Sequence, residues 1–261
     1  MLDIPKRLCY AVREDVGKGE SMLPLFDFHS HILPAMDDGS RSAEQSIAML
    51  RAEAEQGVRV VAATPHFYPH REAPASFLKR RARAEDTLRE AMATQEGLPR
   101  VVVGAEVYAF EGMSDCEDLP RLTLAGGDAL LVEMPMSAWS DRLLSELAQI
   151  HEKQGLIPIV AHLDRYVNRF NARRTVERLA HLPVFIQVNT TFFTARSTRR
   201  LALELLCSNR VHLLGSDCHD TEKRPPNMAR AAKQIADKAD PSWISWIYQN
   251  SMELISENAE R

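Results

Sequence analysis

The sequence predicts an α/β fold whose parallel strands close into a barrel, and three observations carry that prediction. Seven short apolar runs alternate with helical patterns along 261 residues, the rhythm of repeated βα units. Most of those runs are apolar almost without a break, as parallel strands covered on both faces must be. The residues with chemical reach, His29, His31, His66, Glu106, Glu133, His162, Asp217 and His219, stand at the C-terminal ends of the runs. In a parallel barrel those ends converge on one face, whereas the outlying ends of an open sheet lie too far apart to cooperate.

In chain order the strands are expected at 25–29, 58–64, 101–107, 129–134, 157–162, 184–189 and 211–216. Between the first two, Ala43, Ile47, Leu50 and Ala54 recur at helical spacing on one face. Ser42 and Gln45 read as a capping box before that helix, and Gly57 as its stop. Leu143, Leu147 and Ile150 repeat the pattern ahead of Gly155. No internal repeat or low-complexity segment divides the chain, so 22–261 reads as one domain. Residues 1–21 carry no periodic pattern and are expected to form an N-terminal extension, disordered or not native, with Met22 as an alternative start.

Composition narrows the class. Hydrophobic residues make up 45% and charged residues 26%, ordinary for a globular domain. A net charge of -4 speaks against a general polyanion binder and so against nucleic acid as partner. Cys9, Cys116, Cys207 and Cys218 are far apart and form no C-x-x-C pair, which argues against a zinc ribbon or disulfide framework and for a reducing compartment. No apolar run is long enough to span a bilayer and no signal-peptide pattern opens the chain. A cytoplasmic protein without membrane insertion is expected, and an oligomer is compatible with the sequence.

The strongest chemical signal is Asp27-Phe28-His29-Ser30-His31, followed by Asp37-Asp38-Gly39. On a strand His29 and His31 point the same way, so both imidazoles can reach one ion. Asp38 can add an oxygen ligand, and Asp37 is the weaker candidate because it can simply cap the next helix. His66 follows the second run. Glu106 and Glu133 end two further runs, where a carboxylate is costly unless it meets a cation or a buried arginine. His162 precedes Asp164 and Arg165, and Asp217 and His219 again stand two apart. Five histidines, two glutamates and two aspartates without a thiolate suit Mn²⁺, Fe²⁺ or Zn²⁺ at a hydrolytic centre. Nine ligands exceed the needs of one ion, so two or three are expected. His70, His151, His181 and His212 are read as structural.

Taken in order, DFHSHILPAMDDGS, GVRVVAATPH, GAEV, LLVEMP, PIVAHLDRY, QVN and SDCHDTEKRPP resemble the PHP (polymerase and histidinol phosphatase) family. Within it they are most similar to the bacterial manganese-dependent tyrosine-protein phosphatases of capsule and exopolysaccharide biosynthesis (CpsB/YwqE-like). The resemblance runs from about Leu25 to the last helix. It implies a distorted (β/α)7 barrel of PHP type with three metal ions, Mn²⁺ first among them. One ion would be held by His29, His31, Glu106 and Asp217, a second by Glu106, Glu133 and His162, and a third by Asp38, His66 and His219. Arg165 and Arg224 match the family's phosphate-contacting arginines. The implied substrate is a phosphotyrosine protein, a bacterial tyrosine kinase of capsule or exopolysaccharide synthesis.

The expected mechanism is attack by a metal-bridging hydroxide on phosphorus, with Arg165 and Arg224 stabilising the phosphoryl oxygens. The plainer reading of Arg165 is an ion pair with a strand-end carboxylate. Cys218 and Arg224 also show the spacing of cysteine-dependent phosphatases, but the intervening His-Asp-Thr-Glu-Lys carries two acids and no glycine, which suits neither a thiolate nor a phosphate cradle. Other readings are another PHP phosphatase, such as one for histidinol phosphate, a nucleic-acid phosphoesterase, and a non-catalytic scaffold that binds a kinase.

Overall fold

The apolar runs become strands that pair only in parallel, with helices returning the chain between them. The structure is a computed structural model that describes residues 24–167 and 172–256; the extension expected at 1–21 lies outside the described residues. The first half runs β1 (Leu25–Ser30), α1 (Ala43–Glu55), β2 (Val58–Ala63), β3 (His66–Phe67), α2 (Pro74–Met92), β4 (Arg100–Val103), β5 (Glu106–Tyr108), β6 (Ala129–Glu133) and α3 (Asp141–Gln154). The second runs β7 (Ile157–Val160), α4 (Leu163–Val167), α5 (Ala172–Leu179), β8 (Phe185–Asn189), α6 (Thr190–Thr194), α7 (Arg199–Cys207), β9 (Leu213–Gly215), α8 (Met228–Lys238) and α9 (Ser242–Ser256).

Strands β1-β2-β4 form one sheet and β3-β5-β6-β7-β8-β9 a second. The expected strand at 101–107 is therefore two strands. It breaks at Gly104, where a Cβ would come within 2.8 Å of the Leu124 side chain, and β5 starts afresh at Glu106. Likewise Pro65 has no N–H to give a ladder, so β2 ends and β3 begins at His66. Both breaks are spliced by backbone bonds, Gly104 N–H to the Ala63 carbonyl and Glu106 N–H to the Pro65 carbonyl, each 3.0 Å. At the opposite edge the Asp217 N–H donates to the His29 carbonyl (2.8 Å) and the His31 N–H to the Cys218 carbonyl (2.9 Å). The parallel sheet is thus curled, with its C-terminal edges turned to one side.

Two apolar clusters hold this wall. The larger joins strands to helices, through Met49, Leu50, Leu147, Ile150, Phe192 and Ile235. The smaller gathers Phe26, Phe28, Val60, Val102, Leu131, Ile159, Phe185 and Leu213 from seven strands, together with Leu254 and Ile255 of α9. Strand β1 feeds both by alternation, Leu25 to the larger and Phe26 and Phe28 to the smaller, and it also bulges: Asp27 and Ser30 pair with Val61 and Ala63, three steps against two. A bulge re-aims the side chains beyond it, which leaves Asp27 directed at α1 and His29 free for the sheet's C-terminal end.

Helix α1 is rotated from its expected face. Ser46, Met49, Leu50 and Glu53 are buried, and Ala43, Ile47 and Ala54 only half so, because Glu53 turns inward to Cys218, its Oε1 3.7 Å from the thiol. The Ser42 hydroxyl caps the helix by accepting from Gln45 N–H, while the Gln45 side chain accepts from Arg41 N–H rather than from Ser42. In α3 the expected face is the observed one: Leu143, Leu147 and Ile150 are buried, and Gly155 closes the helix at φ 67°.

Candidate metal centre

The β1 bulge and the short strands β3 and β5 bring the nitrogen and oxygen donors to one point. His29 Nε2 and His31 Nε2 lie 3.1 Å apart, a spacing that sets lone pair against lone pair unless a proton or a cation lies between. Glu106, fully buried, is the hub: its Oε2 is 3.2 Å from His29 Nε2, 3.4 Å from His31 Nε2 and 2.8 Å from His66 Nδ1. Its other oxygen is 2.7 Å from His162 Nε2. Glu133 Oε2 is 3.7 Å from His66 Nδ1, and Asp217 Oδ1 is 3.5 Å from His31 Nε2. Exposed Asp38 closes the group, its Oδ1 3.3 Å from His219 Nε2 and 3.7 Å from His66 Nε2. All nine residues predicted as ligands therefore meet. His162 and Asp217 do so with left-handed backbones, φ 32° and 54°, a conformation that Ala35, Ala125 and Asn209 also adopt and that is uncommon for non-glycine residues.

A surrounding layer aims these side chains. Asp37 does not cap α1, which Ser42 does; its carboxylate instead meets His31 Nδ1 at 2.8 Å and accepts from the His66 and Gly39 N–H groups, each 2.9 Å. Gln187 Oε1 accepts from the His162 N–H at 2.7 Å and stands 3.3 Å from His29 Nδ1. Its amide nitrogen donates to Asn189 (3.1 Å), and Asn189 Nδ2 donates to Asp217 Oδ2 (2.8 Å). Gln187 and Asn189 were missed as site residues, though two amides at period 2 in an otherwise apolar strand are a legible signal. Gly39 and Gly215 keep the approach open, since a Cβ at either would press on His31 or His29.

Electrostatics polarise the cluster. Burial favours neutral His31, but Asp37, Asp217 and Glu106 outweigh it and hold the imidazole well above its ordinary value. Burial likewise opposes ionisation of Glu106 and Asp217, yet the surrounding histidines, with Arg165 at Asp217, hold both carboxyls well below the usual range. Burial keeps His162 neutral, and burial with neighbouring His31 brings His219 down to about 4. Both imidazoles are therefore in the form that ligates metal.

These residues fit divalent cations. Glu106 Oε2, Glu133 Oε2, His66 Nδ1, His162 Nδ1 and His219 Nε2 are buried without a hydrogen-bond partner among the described residues, although His66 Nδ1 and Glu106 Oε2 are in near contact. Buried atoms left so are costly unless something else satisfies them. Donor atoms within 4.8 Å of one another occur in the sets His31, Asp38, His66, His219; His29, His31, Glu106; and His66, Glu106, Glu133. Oxygen and nitrogen donors without sulfur are what Mn²⁺, Fe²⁺ and Zn²⁺ hydrolytic sites use.

Both predicted arginines reach this cluster and meet on one carboxylate. Arg165, from α4, donates to Asp217 Oδ2, and Arg224, from the loop after β9, donates to Asp217 Oδ1 at 2.8 Å. Each side chain remains about a third exposed, 33% and 39%, so each can also face the opening. Cys218, by contrast, is fully buried; burial beside Glu53 and Asp27 pushes its thiol well up. The N–H groups of Glu222, Lys223 and Arg224 converge on Asp220 Oδ1 at 2.5–3.2 Å, so the loop's donors serve a carboxylate rather than a phosphate.

Of the four histidines read as structural, His151 Nδ1 meets the Leu156 carbonyl and His212 Nδ1 accepts from the Ile186 N–H, each at 3.0 Å. His181 is exposed. His70 is exposed, its ring 5.7 Å from Tyr68 and 6.1 Å from Tyr108.

Known proteins resemble the chain along almost all of this length. A family model described as capsular polysaccharide synthesis, CpsB/CapC, matches residues 25–256. Tyrosine-protein phosphatase CpsB of Streptococcus agalactiae serotype III (strain NEM316) is 28% identical over 224 residues, 81% of this chain and 89% of the relative. Tyrosine-protein phosphatase YwqE of Bacillus subtilis (strain 168) is 27% identical over 246 residues, 90% and 92% of the two chains. A crystal structure from work on YwqE of Bacillus subtilis and CpsB of Streptococcus pneumoniae, described as metal-dependent tyrosine phosphatases, matches with a TM-score of 0.78 at 24% identity, over 88% of this chain and 94% of the other. That last likeness is one of fold.

Proposed function

The chain belongs to the CpsB/CapC family of capsular polysaccharide synthesis, and from that premise we propose that it is a metal-dependent protein-tyrosine phosphatase, a phosphoric monoester hydrolase. The observation that carries this reading is the meeting of nine nitrogen- and oxygen-donor residues, buried Glu106 at their hub, with two arginines beside them. His29, His31, Asp38, His66, Glu106, Glu133, His162, Asp217 and His219 would hold two or three ions, Mn²⁺ first among the candidates. Such ions supply Lewis acidity and draw the pKa of a water toward neutrality.

The chain's own residues do the rest. Arg165 and Arg224 bind the phosphoryl oxygens with charge-assisted bonds that strengthen as negative charge builds in the transition state. Asp217 holds both guanidinium groups in place, and Asn189 holds Asp217. Asp37 and Gln187 fix the rings of His31 and His29. A tyrosine leaving group has a reference pKa of ~10, so its departure needs little help from a protein acid. Residues 22–261 act as one such domain, their strand paths forming a distorted (β/α)7 barrel. The phosphotyrosine partner is a bacterial tyrosine kinase of capsule or exopolysaccharide synthesis, met in the cytoplasm.

The test is turnover of a phosphotyrosine peptide, histidinol phosphate and a DNA 3′-phosphate by the same metal-loaded protein. The peptide should be preferred by at least about 10-fold, the size of discrimination that one or two well-made side-chain contacts give. Preference for either of the others would replace this reading with another phosphoesterase activity.

A further inference from the structure

We propose that Tyr68 and Tyr108 form a ring-binding wall that makes this site select aryl phosphates over alkyl phosphates; the inference rests on the phosphatase reading and deepens it. The register of two strands carries it. His66 of β3 pairs with Glu106 of β5, and Phe67 with Val107. Side chains two residues apart on a strand share a face, and they stand about 6.6 Å apart along it. The next residues on the ligand-bearing face are Tyr108 of β5, beyond Glu106 and level with Glu133, and Tyr68, one residue past the end of β3. Their rings do meet, with centroids 5.7 Å apart.

The wall adjoins the metal centre. Tyr68 stacks on the His66 ring, 5.0 Å between centroids and 29° between planes. Tyr108 is the register partner of Glu133. Arg71 lies over the Tyr68 ring at 4.5 Å, and the exposed His70 ring stands edge-on to Tyr108 at 6.1 Å. Both tyrosines are half-buried, so each keeps part of its surface accessible. A phosphoryl group seated among the donors and the two arginines leaves its ester oxygen directed out of the centre. In phosphotyrosine an aromatic ring follows that oxygen and reaches Tyr68 and Tyr108; in phosphoserine there is only a methylene and backbone. Offset and edge-to-face ring pairs gain from their quadrupoles beyond the area they bury, so the aryl ester is favoured. The hydroxyls have no part in this, and the rings alone select.

The experiment compares wild type, Y68L/Y108L and Y68F/Y108F with two probe pairs. Phenyl phosphate and propyl phosphate give the ratio of kcat/KM values for aryl and alkyl turnover. Benzylphosphonate and propylphosphonate, which cannot be hydrolysed, give the ratio of Kd values by calorimetry. The leucine pair should lower both aryl-to-alkyl ratios by about 10-fold, the sum of two ring contacts, mostly through KM, and the phenylalanine pair should keep both ratios. Leucine variants that keep the binding ratio, or lose aryl and alkyl binding in parallel, would overturn the inference. A metal-loaded wild type that turns over neither phosphate would overturn the phosphatase reading alone, since the phosphonate ratios still decide whether the wall selects rings.

Discussion

His31 Nδ1 and Asp37 Oδ2 lie 2.8 Å apart, and the same carboxylate accepts the His66 N–H. One aspartate thus orients the His31 ring and anchors the backbone of His66. Carboxylate partners of this kind fix the tautomer of a ligating histidine and raise its basicity.

Asp37→Asn keeps the size of the side chain but removes its charge. Loss of such a partner weakens metal binding by roughly 10- to 100-fold. The prediction is a loss of that size in the Mn²⁺ dissociation constant of chelator-stripped protein, measured by calorimetry, with the fold unchanged by circular dichroism. An affinity equal to wild type would show that Asp37 serves only the loop.

The arginines and the ligands should separate cleanly. Arg165→Ala and Arg224→Ala remove donors to the phosphoryl group and spare every nitrogen and carboxylate around Glu106. Each should lose about 10²–10³-fold in kcat/KM, the scale of one preorganised transition-state donor, with metal content kept. Lysine should rescue poorly, because a point charge lacks the guanidinium fork. His29→Ala and Asp217→Ala should lose activity and bound metal together. Arginine variants as active as wild type would reduce both residues to partners of Asp217.

Cys218 should be dispensable for chemistry. Its thiol is fully buried, pushed well up by burial and by Glu53 and Asp27, and aimed at Glu53 rather than at the opening. Cys218→Ser should keep most of the phosphatase activity, whereas a chelator should remove it from wild type. Inactive Cys218→Ser with intact metal content would contradict this.

Glu53 gives a prediction about stability. Burial, reinforced by the neighbouring Asp27 carboxylate, holds its carboxyl well above the ordinary value, so the folded protein keeps a proton that the unfolded chain releases. Stability from this group is then present below the unfolded pKa of about 4.3 and is lost as pH rises toward the folded value. Glu53→Gln cannot ionise and removes that loss. In metal-free protein the difference in Tm should move in the variant's favour between about pH 5 and about pH 8. A constant difference across that range would mean that Glu53 ionises freely.

Much of this was legible in the sequence because it depended on period and on strand ends. Apolar runs located the strands, polar residues closing those runs located Glu106 and the seven donors gathered about it, and the turn after the first run located Asp38. What was not legible depended on where backbones collide or change direction. The break of 101–107 at Gly104 follows from contact with Leu124, which is distant in sequence. The rotation of α1 follows from Glu53 reaching inward to Cys218, a buried acid that helical spacing assigns to the surface. Asp37 looked like a cap because its role is set by His31 and His66 across a loop. The Tyr68–Tyr108 pair needed the β3–β5 register, and no pattern within either short strand reveals it.

The central claim is that phosphotyrosine hydrolysis by this chain depends on a cluster of ions held around Glu106. The most direct measurement titrates Mn²⁺ into chelator-stripped wild-type protein while following hydrolysis of a phosphotyrosine peptide against the number of ions bound per chain. Turnover should be absent in stripped protein and should rise only as two or three ions bind. Full turnover in stripped protein, or with fewer than two ions bound per chain, would contradict the account.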